Sequence, residues 1–241
     1  TAYDRSGINE LNNIIGDLQP DEKKAAIPEV KLVTRTTDPD KAVAAALVSD
    51  VKGISYGSAM KTVKSMDQDQ IRNLFIQALK HRMPYDTVKR YFEFADATFE
   101  LVISATNYAQ LKRHRIASFL TGPYDIDLGY TLPPNNERIG METEFSKIKD
   151  RTGKLYKKMA QTIPTHAQYV LTNAHRRRLL LKMDFREIYH FMALRLDEHA
   201  QWDIRNTAEK MLSELKKAAP LSTMMCCGKS DFEEKSRDVF D

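Results

Sequence analysis

Residues 183–205 read MDFREIYHFMALRLDEHAQWDIR. Asp184 followed three positions later by Glu187 is a capping-box pattern, with Asp in place of the usual Ser or Thr, and REIYHFMALR runs on from it as a helix. Arg186 and His190 are four apart and share one face of that helix. Arg195, nine positions beyond Arg186, falls on the opposite side of an unbroken helix. Asp197 offers a second N-cap, so the spacing predicts a break there and a new helix over 198–217.

Working outward, a second polar cluster lies in AQLKRHRIASFLTGPYDID, residues 109–127. Arg113, His114 and Arg115 stand between two apolar runs, with Gln110 just before them. Helix-like spacing through Tyr108, Leu111, Ile116 and Phe119 predicts that this triplet sits on or at the end of a helix. Guanidinium groups bind phosphate or carboxylate bidentately and keep their charge, which suits a nucleotide or a pyrophosphate. Paired or solvated arginines are the competing reading for either cluster.

The remaining segments frame these two. VKLVTRT (30–36) reads as a short strand, and TDPDKAVAAALVSD as a helix started by Thr37 or Asp38 with Pro39 in its first turn. Ile71, Leu74, Phe75, Ala78 and Leu79 mark an amphipathic helix over 68–81. Residues 91–107 read mostly as strand, 121–140 as loop and 141–162 as a charged helix. Residues 1–28 form a polar arm with some helical pattern, 29–220 the main domain and 221–241 a tail holding Cys226 and Cys227. Helices on a small, mostly antiparallel sheet, an α+β arrangement within the α/β class, are therefore expected.

Bulk properties narrow the function. The chain has 241 residues, 42% hydrophobic and 29% charged, with a net charge of +4 that mixes 37 basic with 33 acidic side chains. Nucleic-acid binding does not follow from that balance, and the run His175-Arg176-Arg177-Arg178 lacks an aromatic stacking platform. The apolar run at 42–48 is far shorter than the roughly 20 residues that span a bilayer, and no N-terminal h-region is present. A soluble, cytoplasmic protein is expected, with Thr1 pointing to a processed or partial chain. The two adjacent cysteines have no metal-type spacing, His166 and His175 lack carboxylate neighbours, and neither a P-loop nor a G-x-G-x-x-G motif occurs.

The signatures Q-x-x-R-H-R-x-x-S (from Gln110) and L-R-x-x-x-H-A-Q-W-x-I-R (through Arg195), with VKLVTRTTDPDKAVAAAL and HRMPYDTVKRYFEFADATFEL upstream, resemble the flavin-dependent thymidylate synthases over about residues 30–220. The resemblance implies a homotetramer with FAD held between subunits, deoxyuridylate (dUMP) near the flavin, and methylenetetrahydrofolate and NADPH as co-substrates. Cys226 and Cys227 would need no catalytic role. Arg113, His114, Arg115, Arg186 and His190 would contact FAD. Gln110 and Arg195 would lie on the nucleotide side, Arg195 beside the reacting pyrimidine as the catalytic candidate.

Departures fall on the nucleotide side. Where the family has Ser-x-Arg-Tyr after the triplet, this chain has Pro123, then Asp125 and Ile126, and the Glu two positions before that Ser is Thr121. Ala-Arg-x-x-Leu-Pro becomes Ala167-Gln168-Tyr169-Val170-Leu171-Thr172. Two lost charge-assisted bonds, at roughly 1.5–3 kcal/mol each, imply nucleotide binding weakened on the order of 10²- to 10⁴-fold unless Arg176 or Arg178 compensates. A non-catalytic paralogue, or half of a duplicated enzyme paired with a second similar domain, is the alternative reading.

Overall fold

The computed structural model describes residues 2–16 and 28–241. In chain order the elements are α1 (Ala2–Ile15), β1 (Val30–Arg35), α2 (Pro39–Lys52), α3 (Tyr56–Ser65), α4 (Gln68–Leu79), β2 (Asp96–Ser104), α5 (Ala105–Leu111), β3 (Ser118–Tyr124), α6 (Pro134–Arg138), α7 (Glu142–Thr162), α8 (Pro164–Ala167), β4 (Arg176–Asp184), α9 (Phe185–Arg195), α10 (Trp202–Ala218) and α11 (Phe232–Phe240). The strands form one antiparallel sheet in the order β1-β2-β4-β3. The expected α+β arrangement is the observed one. No helix among the described residues is long and apolar enough to cross a membrane.

Strand periodicity decides which face is buried. Ala97, Phe99 and Leu101 of β2 stand opposite Met183, Leu181 and Leu179 of β4, and all six are at most 2% exposed. The alternate pairs, Thr98 with Lys182 and Glu100 with Leu180, occupy the other face. There Arg178 meets Glu100 at 3.4 Å and Lys182 meets Asp96 at 3.1 Å. On the buried face α2, α4, α9 and α10 close the core through Val43, Phe75, Phe191 and Met211. Burying Leu or Phe side chains of this kind stabilises by about 1.5–3 kcal/mol each, so these pairs lock the register.

Residues 221–241, set off in the sequence as a tail, contribute Met224, Met225, Cys226 and Phe232 to that same core. Asp40 accepts hydrogen bonds from the Leu221 N–H at 3.0 Å and the Ser222 N–H at 2.7 Å, tying the segment to α2. Burial pushes the Cys226 and Cys227 thiols up from their usual range, which leaves both poor nucleophiles. The amino-terminal arm is described only through α1, and residues 17–27 lie outside the described residues.

Helix α2 starts with Asp38 as N-cap and Pro39 at its first turn, and α7 spans Glu142–Thr162, both as the sequence indicates. Other segments differ. Residues 90–94 form a 3-10 turn rather than strand, because Phe92 is fully buried against Phe75 and Tyr189 while Phe94 is 60% exposed. Apolar spacing in a three-residue turn imitated the strand alternation there.

Helix α5 ends at Leu111, and Ile116 and Phe119 do not continue it. Residues 118–124 instead form edge strand β3, so the expected loop over 121–140 loses its beginning to strand and a few later residues to α6. Pro123 is tolerated because it falls at an irregularity between Thr121 and Tyr124 on an outer strand, where no ladder N–H is required. The second C-terminal helix begins at Trp202 with Gln201 as N-cap, not at Asp197. Asp197 is engaged elsewhere, accepting from the His199 and Ser230 N–H groups at 3.1 Å each.

Candidate functional site

The site grows from two junctions, the turn after α5 and the helix α9 that follows β4. Leu111, fully buried, anchors the end of α5, and the His114 N–H donates to the Leu111 carbonyl at 3.0 Å, which winds the Arg-His-Arg triplet into a tight turn. Arg113 and Arg115 consequently project outward and are exposed, while His114 between them turns inward and is 4% exposed.

His114 is bonded at both ring nitrogens. Its Nδ1 lies 2.9 Å from Glu187 Oε1, and its Nε2 lies 3.0 Å from Arg195 Nε. A guanidinium only donates, so Nε2 accepts and the ring proton sits on Nδ1, donated to Glu187. Phe191 and His190 pack edge-on against the ring at 5.0 and 5.7 Å between centroids. Arg195 completes the arrangement by donating from Nη1 to Gln110 Oε1 at 3.3 Å and from Nη2 to the Gln110 carbonyl at 3.1 Å. Burial and the neighbouring Arg113 charge pull the Arg195 pKa down from its ordinary value, yet guanidinium remains the charged form at any physiological pH.

Arg195, His114 and Gln110, spread over 85 positions of sequence, are therefore one unit. His190 is exposed beside it, on the same helix. Arg186 lies apart. Its Nε donates to the Val88 carbonyl at 3.1 Å and its Nη1 meets Glu93 at 2.7 Å. Glu93 is shared with Arg90 at 2.9 Å, and these two arginines hold its carboxyl below the usual range. A cavity of about 260 Å3 lies between Thr87, Glu93, Asp184, Arg186 and His190. Asp184 caps α9 by accepting from the Glu187 N–H at 2.8 Å, and burial pushes its pKa up. The other half of the expected capping box is replaced, since the Glu187 side chain reaches His114 instead.

A buried network holds α5 in place. Ser104 donates to Asp203 Oδ2 at 2.5 Å, and Asn107 Nδ2 donates to Asp203 Oδ1 at 3.2 Å and Thr207 Oγ1 at 2.8 Å. All four residues are at most 7% exposed, so the N-terminal ends of α5 and α10 are fixed to one another and Gln110 with them. This network did not stand out in the sequence, and Glu187 was read there only as half of a capping box. The one available signal was an acidic residue set among the apolar positions of each helix.

The positions that depart from the family pattern also find their roles. Asp125 Oδ1 accepts from the Asp127 N–H at 2.8 Å and caps a short turn, Gln168 is exposed, and Thr121 Oγ1 lies 3.3 Å from the Tyr108 hydroxyl. The basic run is engaged within the chain. Arg176 pairs with Glu29 at 2.6 Å, and Arg177 donates to the Gly122 carbonyl and stacks over Tyr108 and Tyr124 at 5.1 and 4.6 Å. Arg178 pairs with Glu100. His175 is buried, which lowers its pKa and keeps the ring neutral. Among the described residues no group of His, Cys, Asp and Glu is arranged to hold a metal ion.

An antiparallel α+β sheet whose two signature segments converge on a His-Arg-Gln unit, with its histidine buried and the other two half-buried, defines a specific class of fold. The family model described as thymidylate synthase complementing protein matches residues 31–221. The flavin-dependent thymidylate synthase of Saccharolobus solfataricus is 32% identical over 200 residues, covering 79% of this chain and 74% of its own. That of Clostridium tetani is 28% identical over 215 residues, covering 80% and 84%. In fold, the chain is similar to the UMP/dUMP methylase PolB of Streptomyces cacaoi, solved with 5-Br dUMP, with a TM-score of 0.67, 18% identity and coverage of 86% and 95%. The chain belongs to the flavin-dependent thymidylate synthase family.

Proposed function

We propose that this protein binds FAD and methylates the pyrimidine ring of dUMP, taking the carbon from methylenetetrahydrofolate and the reducing equivalents from NADPH. The observation that carries the reading is the Arg195 unit. Of the five guanidinium N–H groups, Nε is committed to His114 and one on each Nη to Gln110, which leaves two for a carbonyl oxygen of a bound pyrimidine. Such preorganised donors favour charge that develops on the ring as it reacts.

The flavin, when bound, relays reducing equivalents. Its pyrophosphate suits Arg113 and Arg115, which are exposed and make no ion pair among the described residues, with His190 packed on the ring of the intervening His114. Arg186 is held by Val88 and Glu93 through Nε and Nη1, and its remaining N–H groups face the cofactor side beside His190. His114, turned inward, supports Arg195 rather than touching the cofactor directly. Gln110 fixes the guanidinium plane on the nucleotide side.

The relatives' names and the ligand of the structural neighbour support dUMP as the acceptor. Asp125, Pro123 and Gln168 weaken the phosphate side, and Arg176 and Arg178 are each already paired with a carboxylate within the chain. A cytoplasmic homotetramer completes the proposal. Helix α7 buries none of its side chains, and Met141, Ile148 and Leu155, seven apart along one face, are 44%, 54% and 44% exposed. That face suits contact with further copies. The altered phosphate side also favours a second reading, a paralogue that keeps flavin without turnover. The test is the visible spectrum after incubation with FAD and desalting, followed by an assay for thymidylate. Retained flavin without product supports the second reading, and a colourless protein sinks both.

A further inference from the structure

From the bonds around His114 we infer that Glu187 is a positioning residue that sets the direction of the Arg195 guanidinium. This rests on the reading that Arg195 faces the acceptor pyrimidine. The Glu187 side chain is 4% exposed and that of His114 is 2% exposed, so neither is held by solvent. A carboxylate withdrawn from water needs an opposite charge or full hydrogen bonding. Here the compensation passes through the imidazole. Glu187 Oε1 takes the Nδ1 proton at 2.9 Å, the ring presents a bare Nε2, and Arg195 Nε donates to it at 3.0 Å.

Glu187 therefore selects the tautomer. With the proton on Nε2 instead, two N–H groups would face one another and Arg195 would lose its central anchor. Gln110 alone, through bonds at 3.3 and 3.1 Å to the two Nη atoms, leaves the guanidinium free to swing about its long stem. Both Asp184, which starts α9, and Phe191 and His190, which pack on the ring, hold the geometry from the same helix. The arrangement resembles the outer partners that fix the tautomer of a metal-bound histidine, with a guanidinium standing where the metal would be.

Two measurements test this. Nitrogen NMR on histidine-labelled protein, with the His114 signal assigned by its loss in His114→Asn, reads the tautomer directly. The expected result is a protonated Nδ1 and a bare Nε2 at neutral pH, and a reversed tautomer overturns the inference. In the FAD-loaded enzyme, Glu187→Met should lower kcat by roughly ten- to a hundredfold with flavin content unchanged, as expected for one charge-assisted bond. Glu187→Gln, whose amide oxygen still accepts from Nδ1, should stay within about threefold of the parent. Equal rates in the Met variant and the parent, or equal losses in both variants, contradict it. If the parent makes no thymidylate, the functional reading fails by itself, and the tautomer in parent and Met variant decides the part played by Glu187.

Discussion

Arg195 shows how much one side chain is asked to do. It holds His114 and both oxygens of Gln110 with one planar fork, and lysine cannot reproduce that. Arg195→Lys should keep its flavin and lose about a hundredfold or more in turnover, measured as thymidylate formed per bound flavin. Asp184 gives a pH prediction. Its pKa is raised by burial, so its contribution to stability is fully present below the ordinary aspartate range and declines as pH rises through the raised value. Asp184→Asn keeps the cap oxygen without the charge, so it should gain on the parent in urea unfolding as pH rises from acid to neutral. Asp184→Ala, with no cap, should be about 1 kcal/mol less stable than Asp184→Asn at neutral pH. If dUMP binds as proposed, exposed Gln168 is the simplest place to add a charge toward its phosphate. Gln168→Arg should tighten dUMP binding by roughly ten- to a hundredfold, less at high salt, as read by calorimetry.

Among the elements, those with their own caps or a clean period were legible in the sequence. Helix α4 was legible through the spacing of Ile71, Leu74 and Phe75, and α9 through its Asp184 cap. Strand β3 was not legible, because Gly122 and Pro123 read as loop and only pairing with β4 makes them strand. The turn at 90–94 was hidden for a related reason, since its form depends on Phe92 packing across the chain on Phe75 and Tyr189. The site divides in the same way. Gln110, the triplet and Arg195 were legible as polar clusters and through the signatures that carry the family resemblance, but that His114 points inward follows only from the approach of α9 to the end of α5. That approach depends on the buried Ser104, Asn107, Asp203 and Thr207 network. Asp203→Ala should lower stability by about 1–3 kcal/mol in urea unfolding, since the buried Ser104 hydroxyl loses its acceptor while Asn107 keeps the residue-203 carbonyl and Thr207.

For the whole molecule, the four-stranded sheet carries on one side the helices that bring the end of α5 and the helix α9 together. The exposed α7 stripe makes assembly testable without touching the site. Replacing Ile148 and Leu155 with Glu should leave the circular dichroism unchanged, because both side chains are about half exposed, and should shift sedimentation to a smaller species. The measurement that bears most directly on the central claim is thymidylate production by the purified protein supplied with FAD, dUMP, methylenetetrahydrofolate and NADPH. The account predicts product from the parent chain, with saturation at higher dUMP than the arginine-bearing relatives need, and near-total loss in Arg195→Ala at unchanged flavin content. A flavin-loaded parent that forms no thymidylate at any dUMP concentration, or an Arg195→Ala variant as active as the parent, would contradict it.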